Sequence, residues 1–193
     1  MQKRITIING HPNSESFNQA IADSYKMGAL ANGAEVKEIN IHALDFDSNL
    51  QFGYKQVMPL ETDLLTAMEA IKWANHLVWI HPVWWGGLPA KMKGFIDRTF
   101  LPGITFKYKK DSIWWDKLLK GKSARIITTM DQPGWYYSLF YGKPSINQLK
   151  KSTLQFCGVS PVKVTTIGPI RNTDAARRNN FLKRINTLGV NFK

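Results

Sequence analysis

The run His76-Leu77-Val78-Trp79-Ile80-His81 constrains the fold more than any other stretch of the chain. An apolar run of this length reads as a buried strand, and Pro82 breaks it into a loop of aromatics and glycines, Val83-Trp84-Trp85-Gly86-Gly87. A helix is expected from Pro89, because proline suits the first helical position and Leu88, Met92, Phe95, Ile96 and Thr99 recur at helical spacing. Aromatic and backbone-permissive residues therefore stand where the carboxyl end of a strand meets the amino end of a helix. Open α/β sheets hold flat ligands at that position.

The chain begins with the same arrangement. Arg4 to Asn9 reads as a strand, and Gly10-His11-Pro12-Asn13-Ser14-Glu15 leads to Ser16, which with Gln19 forms a capping box. The helix that follows has an apolar face of Phe17, Ile21, Tyr25 and Gly28 and is expected to end near Asn32-Gly33. Free N–H groups and the positive end of a helix dipole make such a loop an anion site, with His11, Ser14, Ser16 and Asn18 as added donors. The same pattern also serves an ordinary capped helix, with Ser16 satisfying only its own backbone.

Further strands are expected at Glu35 to Ile41, Ser123 to Thr129 and Val162 to Ile167. Helices burying Leu64, Met68 and Ile71, then Ile146, Leu149, Thr153 and Phe156, are expected between them. Ile104 to Trp115 reads as a linker rich in aromatics and lysine. Strands alternating with helices imply a parallel sheet covered on both faces by right-handed crossovers. We expect five strands in the order 2-1-3-4-5, in one domain spanning residues 1–193.

Composition removes several classes of function. The first strand is not followed by G-x-G-x-x-G, and no phosphate loop ending in Gly-Lys-Ser/Thr is present. The four histidines are scattered and the one cysteine, Cys157, leaves no metal-spaced cluster, so no metal is expected. His76 and His81 read as structural, and Cys157 as a small buried residue on a helix. Lacking both a signal-peptide pattern and a bilayer-length apolar run, the chain is expected to be cytoplasmic, without stable membrane insertion. Net charge is +12, and from Gly142 onward ten Lys or Arg residues face one acid, Asp174. We read this bias as a solvated basic face, since no nucleic-acid recognition motif accompanies it.

Three segments, Asn9 to Asn18, Pro82 to Phe100, and Phe156-Cys157-Gly158, recur in order across nearly the whole length. On these the chain resembles the NAD(P)H:quinone oxidoreductase family, whose members include quinone reductases, general-stress flavoproteins and ancillary subunits of potassium-efflux systems. The resemblance implies a flavodoxin-like three-layer sandwich. It also implies a flavin, FAD or FMN, that takes a hydride at N5 from NAD(P)H and passes two electrons to a quinone or similar small molecule in ping-pong exchange.

The same resemblance distributes roles. His11, Ser16, Phe17 and Asn18 would hold the flavin phosphate. Pro82, Val83, Trp84, Trp85 and Gly86 would run along the isoalloxazine edge, and Thr128, Thr129, Met130 and Asp131 would form the third loop. Met130-Asp131 stands where better-known members have two glycines, and no histidine follows, so a copied proton relay is not expected. Tyr137 best matches the family tyrosine and is either a catalytic hydroxyl or a packing residue. Arg177 resembles an arginine near an adenine, and Phe106 and Tyr108 match aromatics that a homodimer partner contributes to the acceptor pocket. Two other roles fit the same resemblance, an ancillary subunit of a potassium-efflux system and a flavodoxin-type electron carrier. The basic charge speaks against the second.

Overall fold

A computed structural model describes residues 2–192. Five parallel strands form the central sheet: β1 (Arg4–Asn9), β2 (Glu35–Asn40), β3 (His76–Pro82), β6 (Ser123–Thr129) and β7 (Val162–Ile167), in the spatial order β2-β1-β3-β6-β7. Counting only these strands, the order is the expected 2-1-3-4-5. Every residue of β3 is buried, as its unbroken apolar run requires of the central strand.

Strand alternation divides the core into two layers. Leu77 and Trp79 face the layer of α2 (Thr62–Trp73) and α3 (Ala90–Thr99), where Met68, Ile71, Met92 and Phe95 are buried. Val78 and Ile80 face the layer of α1 (Phe17–Ala31) and α6 (Ala175–Val190), with Ile21, Tyr25 and Ile185. Two glycines let α1 and α6 approach closely. A Cβ on Gly28 would lie 2.1 Å from the Asn186 carbonyl oxygen, and one on Gly189 would lie 2.2 Å from that of Tyr25.

The long connection between β2 and α2 is held by a buried cation. Arg98, only 1% exposed, makes a two-pronged ion pair with Glu61 at 3.0 Å for each nitrogen, and donates to the carbonyls of Asp47 and Pro59. A guanidinium so deeply buried is tolerable because its fork finds both charge and hydrogen-bond partners. Arg98 of the resemblance motif thus clamps this connection to α3, while Asp97 pairs with Lys93 of its own helix.

Ile104 to Trp115 is not a plain linker. Phe106–Tyr108 (β4) and Trp115–Lys117 (β5) pair antiparallel into a two-stranded hairpin, too short for strand periodicity to show in the sequence. Residues beyond Pro133 form a short helix α4 (Gly134–Leu139), then α5 (Pro144–Asn147), which runs directly into a π-helical stretch, Gln148–Gln155. Cys157 lies just past that helix, 1% exposed, with burial raising its thiol pKa. It is a packing residue, not a nucleophile.

Candidate active site at the carboxyl edge of the sheet

The loop after β3 closes in a two-residue turn. The Trp84 and Gly87 backbones exchange hydrogen bonds, at 3.2 Å and 2.8 Å, around Trp85 at φ 50° and Gly86 at φ 76°. Positive φ at both central positions is a type I′ turn, which glycine accepts freely and tryptophan does not. Trp85 therefore holds a strained backbone while its side chain stands fully exposed. The Val83 N–H is spent on the Thr129 carbonyl (2.8 Å), whereas those of Trp85 and Gly86 have no partner among the described residues.

Opposite this turn, Met130 continues the sheet ladder by donating to Ile167 and accepting from Ile170. The two segments enclose a cavity of about 550 Å³ lined by Pro82, Val83, Trp84, Trp85, Gly86, Thr129, Met130, Asp131, Gln132, Tyr141 and Ile170. Eight of these eleven are residues that the sequence placed at the site; Gln132, Tyr141 and Ile170 are additions. The cavity lies between β3 and β6, where its walls meet the carboxyl ends of both strands.

The first loop joins from the other side. Asn9, His11 and Asn13 side chains accept hydrogen bonds from the N–H groups of His11, Asn13 and Glu15 respectively, at 3.1, 3.0 and 2.9 Å. This chain of local turns shapes the loop and leaves the N–H groups of Ser14, Ser16, Phe17 and Asn18 unpaired among the described residues. Because His11 Nδ1 accepts, the neutral ring carries its proton on Nε2. Burial keeps the ring's pKa below the usual histidine value. His11 meets Trp84 edge-to-face at 5.5 Å, so the first and second loops touch.

Ser16 caps α1 as expected, accepting from Gln19 N–H at 3.3 Å. The reciprocal half of the capping box is not made, because the Gln19 side chain instead accepts from Asn9 Nδ2 (2.7 Å) and donates to Asp23. Asn18 is 2% exposed. Its Oδ1 accepts from the Thr129 hydroxyl at 2.8 Å, which ties the phosphate-type loop to the cavity wall, and its Nδ2 is buried with no partner. An orphaned buried amide beside four unpaired N–H groups suits an anion, and the cavity with its two free N–H groups suits a planar ring rimmed by acceptors. The residues present therefore fit a flavin.

The remaining expected site residues are placed as follows. Tyr137 is 1% exposed and lies outside the cavity lining. Its hydroxyl donates to the Gly86 carbonyl (2.8 Å), pairs with Ser145 Oγ (2.8 Å) and accepts from Ser145 N–H (3.0 Å). That hydroxyl is committed to holding the turn, and the tyrosine on the cavity wall is Tyr141. Thr128 is wholly buried, its side chain on the α2/α3 face of the sheet beside His81, and it reaches no cavity surface. Arg177 lies over Phe181 of its own helix at 5.9 Å, while Arg178 lies over Phe17, the first residue of α1, at 5.6 Å. Phe106 is 7% exposed and packs against Phe156 and Tyr108, whereas Tyr108 is exposed.

The fold and these loops define a flavodoxin-like protein, and the match of that family over residues 3–188 shows that the chain belongs to it. The resemblance to NAD(P)H:quinone oxidoreductases is borne out by relatives carrying such names. A Haemophilus influenzae protein described as an NAD(P)H oxidoreductase is 28% identical over 184 residues, covering 92% of this chain and 89% of its own. An FMN-dependent NADH:quinone oxidoreductase of Ruegeria pomeroyi is 28% identical over 144 residues, covering 67% and 70%. A crystal structure from Streptococcus mutans superposes with a TM-score of 0.82 at 33% identity, over 97% of this chain and 98% of that one.

Proposed function

We propose that the chain is a flavin-dependent NAD(P)H oxidoreductase that delivers two electrons to a quinone or similar small acceptor. Membership of the oxidoreductases rests on the relatives above. What carries the flavin reading is the joining of the anion loop to the ring-sized cavity through the Asn18–Thr129 bond. Bound flavin, as FMN or FAD, supplies two-electron hydride chemistry that no side chain can supply.

The protein's own contribution is binding and orientation. Ser16, Phe17 and Asn18 present N–H groups at the positive end of α1, and Arg178, stacked on Phe17, adds a cation at the same helix start. Trp85 and Gly86 N–H groups face no competing partner and serve as donors to the ring edge. Trp84, held by His11, supplies an aromatic wall that excludes water. No cavity-wall histidine is present, so Tyr141 is the protein hydroxyl placed to hold a proton near the reacting face.

The test is Ser16→Asp. Aspartate caps helices as well as serine does, so stability should hold, but a carboxylate at the anion loop should weaken flavin binding by at least ~10-fold, about 1.4 kcal/mol. Flavin affinity is read from the visible spectrum and quenching of flavin fluorescence. An aspartate variant with unchanged affinity refutes the phosphate assignment. A wild-type protein whose bound flavin is not bleached by NADPH or NADH refutes the choice of electron donor.

A further inference from the structure

Beside α4 lies a second hollow of about 590 Å³, whose lining includes Tyr137, Ser138, Lys143, Lys150, Lys151 and Thr166. Three lysines line it and no acidic residue does. Lys26, Lys93 and Lys109 elsewhere are each paired with an acid, but Lys143, Lys150 and Lys151 make no ion pair among the described residues. Like charges gathered without a counter-charge repel one another, and a polyanion relieves that cost. Lysine binds phosphate as a mobile point charge, with Ser138 and Thr166 hydroxyls available as neutral donors on the same walls.

Placement links this groove to the reaction. Tyr141 is on the wall of the active-site cavity, and Lys143, two residues later, is on the wall of the groove. Lys143 is fixed in a left-handed conformation at φ 56°. Its N–H donates to the Tyr137 carbonyl (3.3 Å), and its own carbonyl accepts from Asn147 N–H (2.9 Å). Strain at the lysine that precedes α5 is held by these contacts. Tyr137, on the wall of the groove, donates its hydroxyl to the carbonyl of Gly86, on the wall of the active-site cavity, so the two hollows are neighbours. A dinucleotide with its nicotinamide over the active-site cavity would place its other half toward this groove.

We propose that this groove binds the phosphorylated adenosine end of the reducing dinucleotide, with Lys143, Lys150 and Lys151 around the 2′-phosphate that distinguishes NADPH from NADH. The inference rests on the donor assignment made above, so its test is separable from turnover. The flavin-loaded full-length protein is titrated calorimetrically with adenosine 2′,5′-bisphosphate and with AMP. The bisphosphate should bind at least ~10-fold more tightly than AMP, as one charge-assisted contact supplies. Lys150→Gln combined with Lys151→Gln should erase that difference with flavin content unchanged, and Lys163→Gln, outside the groove, should preserve it. Equal binding of the two nucleotides by the wild type, or a preference that survives the double substitution, overturns the proposal. If the preference behaves as expected but neither dinucleotide bleaches the flavin, the groove stands and the donor assignment falls.

Discussion

Replacing Tyr137 with phenylalanine separates a structural hydroxyl from a catalytic one. The ring keeps its packing, while three hydrogen bonds are lost: to Gly86 O, to Ser145 Oγ and from Ser145 N–H. Two of the three partners are not stranded, because Ser145 N–H also donates to the Gly86 carbonyl at 3.2 Å. The group left orphaned is Ser145 Oγ, in a residue with no solvent exposure. An unsatisfied buried hydroxyl costs about 1–3 kcal/mol, so a loss near 2 kcal/mol is expected, or about 4–8 °C in melting temperature for a domain of this size.

Urea denaturation of the flavin-free protein measures this change directly. Adding Ser145→Ala removes the orphan, so the double variant should recover part of the loss, and a coupling energy above about 0.5 kcal/mol should emerge from the cycle. Flavin should also bind more weakly, because the Gly86 turn loses its anchor. A Tyr137→Phe protein with wild-type stability and flavin affinity but a slower half-reaction with NADPH would refute this account and return the hydroxyl to catalysis.

Two further outcomes follow from burial and exposure. Burial depresses the pKa of His81 to about 4. His76 falls to about 3, for the same reason and because of Lys3, Arg125 and Lys163 nearby. Both therefore stay neutral in the folded protein while the unfolded chain takes up protons below its ordinary value of 6.5. Stability is thus complete above pH 6.5 and drains as pH falls toward 4, by roughly 2 kcal/mol between pH 6.5 and 5.5 for the pair; urea midpoints that do not move across that interval contradict it. The β4–β5 hairpin exposes Tyr108, Ile113 and Trp114, an apolar surface that suits a second copy of the chain, so light scattering at micromolar concentration should give a dimer. A monomer would remove any shared acceptor pocket.

The bounds of β1, β6 and β7 are readable residue by residue in the sequence, because each is rich in β-branched residues and has glycine or proline close by, Gly10 after β1, Gly121 before β6, and Pro161 and Gly168 around β7. The loop after β3 was legible because Pro82 and the Gly86-Gly87 pair interrupt the apolar run on either side of the two tryptophans. The fate of individual polar atoms was not legible. Whether Tyr137 or Tyr141 faces the cavity depends on where α4 ends, and rings crowd the segment at Trp135, Tyr136, Tyr137, Phe140 and Tyr141, so periodicity names no face. Likewise Arg177 and Arg178 differ by one helical step of 100°, and only docking of α6 on α1 through Gly28 and Gly189 decides which of them reaches Phe17.

The strained turn at Trp85 shows how these levels meet. Asparagine or glycine would satisfy the φ of 50° with less cost, and a type I′ turn that must only reverse the chain selects them. A tryptophan kept there, fully exposed, gains nothing from packing, and an αL backbone costs a bulky residue about 1–2 kcal/mol. Three neighbouring contacts supply the rigidity that sustains it: Val83 N–H on Thr129, the Gly86 carbonyl on Tyr137, and Trp84 against His11. Each of the three comes from a different part of the chain: β6, α4 and the first loop. The turn is thereby fixed only when the whole carboxyl edge of the sheet has assembled, so the two unpaired N–H groups of Trp85 and Gly86 are set in place before any ligand arrives, and binding need not order them.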